Sequence, residues 1–493
     1  MLTLSPSLET ARQIAGTGAY NIIPVSTELF ADTATPIEVL RKLKAVSGHC
    51  FILESAEDRE RWGRYTFLGF DPKLEITCLN GTVKITSEDG TQSYETNDPN
   101  YYIQNILNQH KSVKLDTLPP FTGGLVGYFA YDYAKYSEPT LELNVCDKEY
   151  FQDADLMLFD KVIAFDHFQH KIILIVSVRT ENLEHEYKRA SDELAKLKRL
   201  INSAVQEHPP IALVQSEFKA LFSRDAYCSM VEKAKSYIKE GDIFQVVLSN
   251  RFEVDFDGSL FDTYRVLRTI NPSPYMFYFS GSDLEIAGAS PETLVKLHDG
   301  KLFTFPLAGT RPRGVTDEED LKLEQELLAD EKELAEHNML VDLGRNDLGK
   351  ISRFGTINVD KYKAVLRFSH VMHIGSTVSG DILDGKTGLD AINAVLPAGT
   401  LSGAPKIRAM QIINELEQNK RGIYGGAIGY LDFTGNMDVC IAIRIAYRKN
   451  GKAFIRSGAG IVADSDPVSE YNECINKSKA VRNALIQSSG GID

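Results

Sequence analysis

The chain has 493 residues, with 54 lysines and arginines against 68 aspartates and glutamates, a formal net charge of −14. That balance argues against nucleic acid or an anionic membrane surface as a partner, and it means that an anionic small molecule must be held by local groups. Apolar residues at 43% and charged residues at 25% are ordinary for a soluble protein, and no apolar run reaches the ~18 residues of a membrane span.

A chain of this length is expected to form one large or two intimately packed domains. Cys50, Cys78, Cys146, Cys228, Cys440 and Cys474 are scattered, with no CxxC. They read as reduced thiols. With an N-terminus that has neither a basic n-region, an apolar h-region nor the arginines of a transit peptide, they predict a cytoplasmic location.

In chain order, β signals dominate up to about residue 166. Strands are predicted at 50–54 and 65–70, then a hairpin across Asn80-Gly81, a dipeptide suited to a type I′ turn. Pro36 fits a first helical turn, and a second helix is expected over 101–110. Gly123, Gly124 and Gly127 among aromatics predict tight packing. Residues 161–178 read as a hairpin turning through His167 and His170, two exposed histidines without a carboxylate or cysteine companion.

A charged helix over 181–206, closed by His208-Pro209-Pro210, reads as a linker. Beyond it, a helix at 224–240 stopping at Gly241 and a strand at 244–252 are predicted. Strands at 276–279, 285–287, 293–297 and 302–305 follow, then one helix over 318–341, a loop-to-helix unit at 398–417, and strands at 427–433, 439–447 and 453–456. Many antiparallel strands with segregated helices define an α+β fold.

The chemistry-bearing stretch is 457–479. Ser457-Gly458-Ala459-Gly460 ends a predicted strand with glycines that let backbone N–H groups approach an anion. Glu470, Glu473 and Lys477 then share one helix face. A lone Glu-x-x-Glu pair is ordinarily a solvated face, but Glu333 and Glu336 repeat the spacing on another helix. Two such pairs brought together repel unless a cation lies between them, and all-oxygen ligation points to magnesium or manganese.

Residues 399–406, with Gly399, Gly403 and Lys406, lead into a helix whose first amides could hold an anion, although the phosphate-loop spacing is absent. His373 lies on an apolar alternation, as a core histidine or as a proton carrier. Glu292, at a strand corner after Pro291, is either a capping or salt-bridged carboxylate or, if desolvated, a general acid. Arg444, mid-strand among isoleucines, needs an anionic partner from protein or ligand.

Taken together, these motifs resemble the chorismate-utilising enzymes, most closely their anthranilate synthase large-subunit branch. The likeness runs through Leu53-Glu54-Ser55, residues 271–276 and 306–314, residues 336–347, 399–406 and 458–477. It implies large antiparallel β-sheets with helices packed between them in a layered sandwich of two interleaved subdomains. The two are a β-rich segment 1–180 and a chorismate-binding catalytic segment 223–493, joined by a helical linker 181–222.

It also implies Mg²⁺ held by Glu336 and Glu473, with Glu333 and Glu470 in support. Thr310, Thr400, Tyr424, Arg444, Gly458, Ala459, Gly460 and Lys477 match substrate-contacting positions. Glu292 matches the proton donor to the departing hydroxyl, and His373 the group used in the later elimination.

The resemblance implies that chorismate and ammonia give anthranilate and pyruvate. Relatives that make 4-amino-4-deoxychorismate commonly carry a lysine where this chain has Ala308, and water-adding relatives carry one where it has Gln245. Glu54, Ser55, Asn271, Pro274, Tyr275 and Met276 match a tryptophan feedback site. No cysteine lies in a glutaminase nucleophile turn, so a separate glutamine amidotransferase subunit is expected to supply ammonia. The rival readings are a 4-amino-4-deoxychorismate synthase component and a non-catalytic sensor of tryptophan or chorismate.

Overall fold

The strands form two antiparallel sheets, of 13 and 12 strands. The structure is a computed structural model that describes residues 3–56, 63–143, 145–204, 209–367 and 371–492; His208, Ser369 and His370, part of the expected motifs, fall outside them. Each sheet mixes strands from both ends of the sequence. In the larger, Cys50–Glu54 pairs with Tyr275–Ser280, and in the smaller, Gly124–Phe129 pairs with Ala427–Asp432.

The inner faces of the sheets meet directly. Their alternate positions supply Phe51, Phe67, Tyr128, Phe159, Phe277, Tyr430 and Phe454, a shared aromatic core in which truncating one ring costs about 3–5 kcal/mol. The helices take the outer faces. Pro36–Val46, Leu183–Asn202, Phe261–Ile270 and Pro467–Ser488 bury apolar stripes on the larger sheet; Pro99–Asn108, Gly388–Val395 and one face of Glu331–Gly349 cover the smaller. The layered α+β sandwich is therefore present, with its helices around the sheets rather than between them.

Local chemistry explains most element boundaries. Asn80 and Gly81 both take positive φ, 49° and 84°, at the predicted hairpin between Leu74–Leu79 and Thr82–Ser87. Gly241, at φ 86°, ends the helix Arg224–Glu240. The stretch expected to link two segments forms the helix Leu183–Asn202, whose Ala190, Leu194, Leu197 and Ile201 are buried in the core of the larger sheet.

Three elements differ from expectation in ways that shape the site. The helix predicted over 318–341 divides into Asp317–Ala329 and Glu331–Gly349, because Asp330 leaves helical geometry and its carboxylate accepts the Lys332 and Glu333 N–H groups at 3.1 and 3.2 Å. The strand predicted over 439–447 divides into Met437–Ile441 in the smaller sheet and Ile445–Lys449 in the larger. The Gly458-Ala459-Gly460 run lies inside the strand Lys452–Ile461 rather than at its end.

Candidate functional site

The chain passes between the sheets at two adjacent points, and a candidate residue stands at each. Glu285–Ser290 belongs to the larger sheet and Thr293–His298 to the smaller, so Glu292 sits in the crossing. The second crossing is the break after Ile441, which holds Arg444. The two are tied together: the Ser290 hydroxyl donates to the Ile441 carbonyl at 2.7 Å, and the Ile441 N–H donates to the Glu292 carbonyl at 2.9 Å.

Glu292 is held on one side by the Thr400 hydroxyl, which donates to its Oε1 at 3.1 Å. Burial pushes its carboxyl up to about 7, against the opposing pull of Thr400 and Lys477. A carboxyl poised there can give a proton near neutrality. Thr400 is placed by the turn Gly399–Leu401. A Cβ on Gly399 would fall 1.6 Å from Leu343 Cδ2, so any larger residue would have to displace that side chain for the turn to seat on the helix Glu331–Gly349. A cavity of about 50 Å³ lies between them, lined by Glu292, Thr400, Leu343, Gly344 and Asp347.

Arg444 does not sit mid-strand. It occupies the break in the left-handed region at φ 55°, a conformation costly for a long side chain. Its Nη1 donates to the Lys477 carbonyl at 3.3 Å, no ion pair joins it to a carboxylate among the described residues, and burial lowers its pKa. The anionic partner required by the sequence is thus not a protein carboxylate in the described structure.

The strand Lys452–Ile461 pairs along its length with Gln245–Asp257, whereas on its other edge Ile445–Lys449 reaches only as far as Ile455. Beyond that point, among the described strands, the edge carrying Gly458-Ala459-Gly460 has no second partner. A Cβ on Gly458 would lie 3.0 Å from the Tyr424 hydroxyl, and one on Gly460 2.7 Å from the Gln245 amide nitrogen. The glycines therefore open this wall for close approach, and Gln245 is the side chain facing it.

Opposite, Thr310 and His373 pair across neighbouring strands of the smaller sheet. His373 Nδ1 lies 2.8 Å from the Gly309 carbonyl and 3.1 Å from the Thr310 hydroxyl. Donation from Nδ1–H to that carbonyl fixes the tautomer with the lone pair on Nε2. Burial lowers the imidazole pKa, so it is neutral and basic at pH 7. Ala308, one residue before Gly309, presents only a methyl group.

The two glutamate pairs lie on helices that face one another. Glu333 and Glu336 are in the first turns of Glu331–Gly349; Glu470, Glu473 and Lys477 begin Pro467–Ser488 behind its Asp466 cap. Burial raises the Glu336 carboxyl, and Glu333 and Glu473 raise it further against Lys332 and Lys477. Burial and Glu473 likewise act upward on Glu470, in part offset by Ser465. Lys477 Nζ pairs with Glu473 at 2.7 Å, and Arg311 lies 3.7 Å from Glu333.

No group of three or more acidic, histidine or cysteine ligands is gathered tightly enough for an all-protein metal cage among the described residues. The donors fit a different kind of site. Mg²⁺ is commonly held by one or two carboxylates, with water and the substrate's own oxygens completing its shell. Glutamates on two facing helices, with Glu336 and Glu470 raised by burial and by their acidic neighbours, meet that description.

The sequence reading missed the charges beneath this wall, Glu417, Arg421 and Arg456; Glu417 and Arg421 pair four residues apart, but the groups that complete the cluster, Ser249 and Val247 among them, are remote in sequence. It also offered Lys406 as part of an anion-binding helix start; its Nζ instead turns inward to Asp347 at 2.8 Å and the Val395 carbonyl at 3.0 Å.

The residues matched to a feedback site gather elsewhere. Leu53, Glu54, Ser55, Pro274, Tyr275 and Met276 line a pocket of about 490 Å³ between the sheets. Asn271, at the end of the helix Phe261–Ile270, is not among its walls. Glu54 is engaged by Arg268 Nε and by the Tyr264 hydroxyl, both at 2.5 Å. The Tyr275 hydroxyl lies 2.8 Å from that of Thr293 and donates to Asp438 at 2.9 Å.

Residues 48–483 match the family described as chorismate binding enzyme, and the chain belongs to that family. It is 45% identical to the anthranilate synthase component 1 of Acetivibrio thermocellus, covering 94% of this chain and 96% of that protein. It is 44% identical to the protein of the same name from Aquifex aeolicus, with 98% of each covered. Among solved structures, anthranilate synthase component I from Streptococcus pneumoniae superimposes with a TM-score of 0.76 at 41% identity, over 85% of this chain and 92% of that one. The menaquinone-specific isochorismate synthase MenF of Escherichia coli shares the fold, at a TM-score of 0.69 and 21% identity, over 97% of this chain and 99% of that one.

Proposed function

We propose that this chain is an anthranilate synthase component I, converting chorismate and ammonia to anthranilate, pyruvate and water. The observation that carries the reading is the convergence of Glu292, Arg444, Thr400, His373 and the two glutamate helices on one cleft, in a chain with the relatives described above. Chorismate carries two carboxylates. The cleft supplies Arg444 without a carboxylate partner, Lys477, and the open Gly458–Gly460 edge with Tyr424 beside it; Thr310 lies opposite.

Glu336 and Glu473 would hold Mg²⁺, with Glu333 and Glu470 supporting it through water; when bound, the ion supplies positive charge against the ring carboxylate. Glu292, protonated near neutrality, donates to the ring hydroxyl as it leaves, while ammonia adds to the diene. His373, neutral with its lone pair on Nε2, takes the ring proton as the enolpyruvyl group departs to become pyruvate. The methyl group of Ala308 cannot form the covalent bond that a lysine would make, and the amide of Gln245 cannot deprotonate water. Both favour an ammonia-adding, anthranilate-releasing reaction over its rivals.

The inter-sheet pocket is read as the tryptophan feedback site, with Glu54, Ser55, Pro274, Tyr275 and Met276 on its walls and Asn271 close by in sequence. Ammonia is read as coming from glutamine through a separate amidotransferase subunit, in the cytoplasm. No helix among the described residues is long and apolar enough to cross a membrane.

The test is product analysis. Incubation with chorismate, an ammonium salt and Mg²⁺ is expected to yield anthranilate and pyruvate, with glutamine unable to replace ammonium for the isolated chain. Accumulation of 4-amino-4-deoxychorismate, or no turnover, would overturn the reading.

A further inference from the structure

Beneath the wall formed by Thr400, Tyr424 and Gly458–Gly460 lies a cluster of charge that the reaction scheme does not use. Glu417, Arg421 and Arg456 have side chains 0%, 1% and 0% exposed. Arg421 grips the carboxylate with two bonds, Nη2 to Oε1 at 2.6 Å and Nε to Oε2 at 3.0 Å. Arg456 Nη2 adds a third at 3.2 Å, and the Ser249 N–H and hydroxyl donate to Oε1 at 2.8 and 2.9 Å. The cluster holds one more guanidinium than carboxylate.

Such an arrangement is a poor way to gain stability. Each buried ion forfeits several kcal/mol of hydration, and apolar replacements of buried ion clusters are often no less stable. Its contribution is better sought in what it fixes. Arg421 Nη1 donates to the Leu401 carbonyl at 2.6 Å, next to Thr400, and its Nη2 to the Val247 carbonyl at 2.7 Å. The guanidinium lies over the rings of Tyr131 and Tyr424, 4.7 and 5.9 Å from their centroids.

Arg456 precedes the Ser457–Gly460 run. It donates from Nε to the Ser249 hydroxyl at 2.9 Å and from Nη1 to the Lys420 carbonyl at 2.9 Å, in the turn that leads to Arg421 and Tyr424. Val247 and Ser249 are the strand partners of Gly460 and Gly458. Three parts of one wall, remote in sequence, therefore hang from a single carboxylate.

We propose that Glu417, Arg421 and Arg456 form a positioning device that sets Thr400, Tyr424 and the Gly458–Gly460 edge in register to receive an anionic group, with the excess guanidinium charge adding to the attraction. The inference rests on the reading of this wall as part of the chorismate site. It makes these three residues positioning residues, not catalytic ones.

The test compares the full chain with Arg421→Lys and Ser249→Ala, using chorismate, ammonium and Mg²⁺, after near-ultraviolet circular dichroism has established folding. Arg421→Lys keeps one charge but loses the fork that reaches Glu417, Leu401 and Val247 together. Its KM for chorismate is expected to rise about tenfold, more than kcat falls, with KM for ammonium unchanged.

Ser249→Ala removes only one hydroxyl between Glu417 and Arg456, and about a threefold rise is expected. Should Arg421→Lys fail to fold, Ser249→Ala decides the matter. A purely structural role lowers the thermal midpoint but leaves KM of the folded protein alone, so a chorismate KM within about twofold of wild type in the folded variants overturns the proposal. Absence of turnover in the wild type would instead overturn the chorismate reading on which it rests.

Discussion

The cleft and the inter-sheet pocket both contain charged side chains, but they hold them differently. In the pocket two carboxylates are matched within the protein: Glu54 by Arg268 and Tyr264, and Asp438 by Lys296 at 3.0 Å and by Tyr275. In the cleft Arg444 has no carboxylate partner among the described residues, Glu292 is pushed toward its neutral form, and the Glu336 carboxyl is raised by burial and then by other glutamates. A protein that leaves charges mismatched in one place and balanced in another marks the first as the place where ions and charged ligands complete the set. The pocket, where Glu54 and Asp438 are balanced and Leu53, Phe67 and Met276 line the wall, is suited to recognising a ligand by shape and apolar contact.

The largest expected effects are in the cleft. Glu473→Gln removes one carboxylate of the facing pairs, and kcat/KM is expected to fall at least about 100-fold while thermal stability without metal changes little, because the repulsion of Glu336 is relieved as the ion pair with Lys477 is lost. Steady-state kinetics beside a melting curve checks both, and a stable variant of normal activity would erase the contrast with the pocket. Glu292→Gln is expected to lower kcat by about 10²–10⁴-fold.

In the wild type Glu292 must carry its proton to act, so kcat should decline as pH rises through about 7, where its carboxyl ionises. Thr400→Val is a smaller change. It removes a hydrogen bond that favours the charged carboxylate, so the alkaline decline should move to higher pH, with kcat lowered by no more than about tenfold. A pH profile identical to wild type would show that the contact does not tune Glu292.

The smallest effect on basal turnover is expected in the pocket. Met276→Ala should leave kcat without tryptophan within about twofold of wild type, yet weaken inhibition by tryptophan at least about tenfold through lost apolar contact. Equal inhibition of both proteins would remove the pocket from the regulatory account.

Local chemistry made much of this legible in the sequence. The turn at Asn80-Gly81 and the stop at Gly241 depend on neighbours a few residues apart, and the structure has them where the sequence places them. The spacing of Glu333 with Glu336 and of Glu470 with Glu473 also needs nothing beyond a helix period, and the fold brings both pairs to one cleft.

What the sequence concealed is non-local. Nothing in the isoleucines around Arg444 shows that the chain leaves one sheet for the other there, since either sheet would bury them. Asp330 resembles any acidic helix residue until its carboxylate is seen capping a second helix. Glu417, Arg421 and Arg456 look like surface charge in a linear reading, because the partners that justify their burial include Ser249 and Val247, about 170 or more positions away.

The central claim is that the mismatched charges of the cleft are completed by a divalent cation and a doubly anionic substrate. Its most direct test is chorismate binding, measured by calorimetry without ammonia, in the presence of Mg²⁺ or EDTA, for the wild type and Glu473→Gln. The account predicts binding that Mg²⁺ strengthens in the wild type and fails to strengthen in the variant. Equal chorismate affinity with and without the metal in both proteins would contradict it.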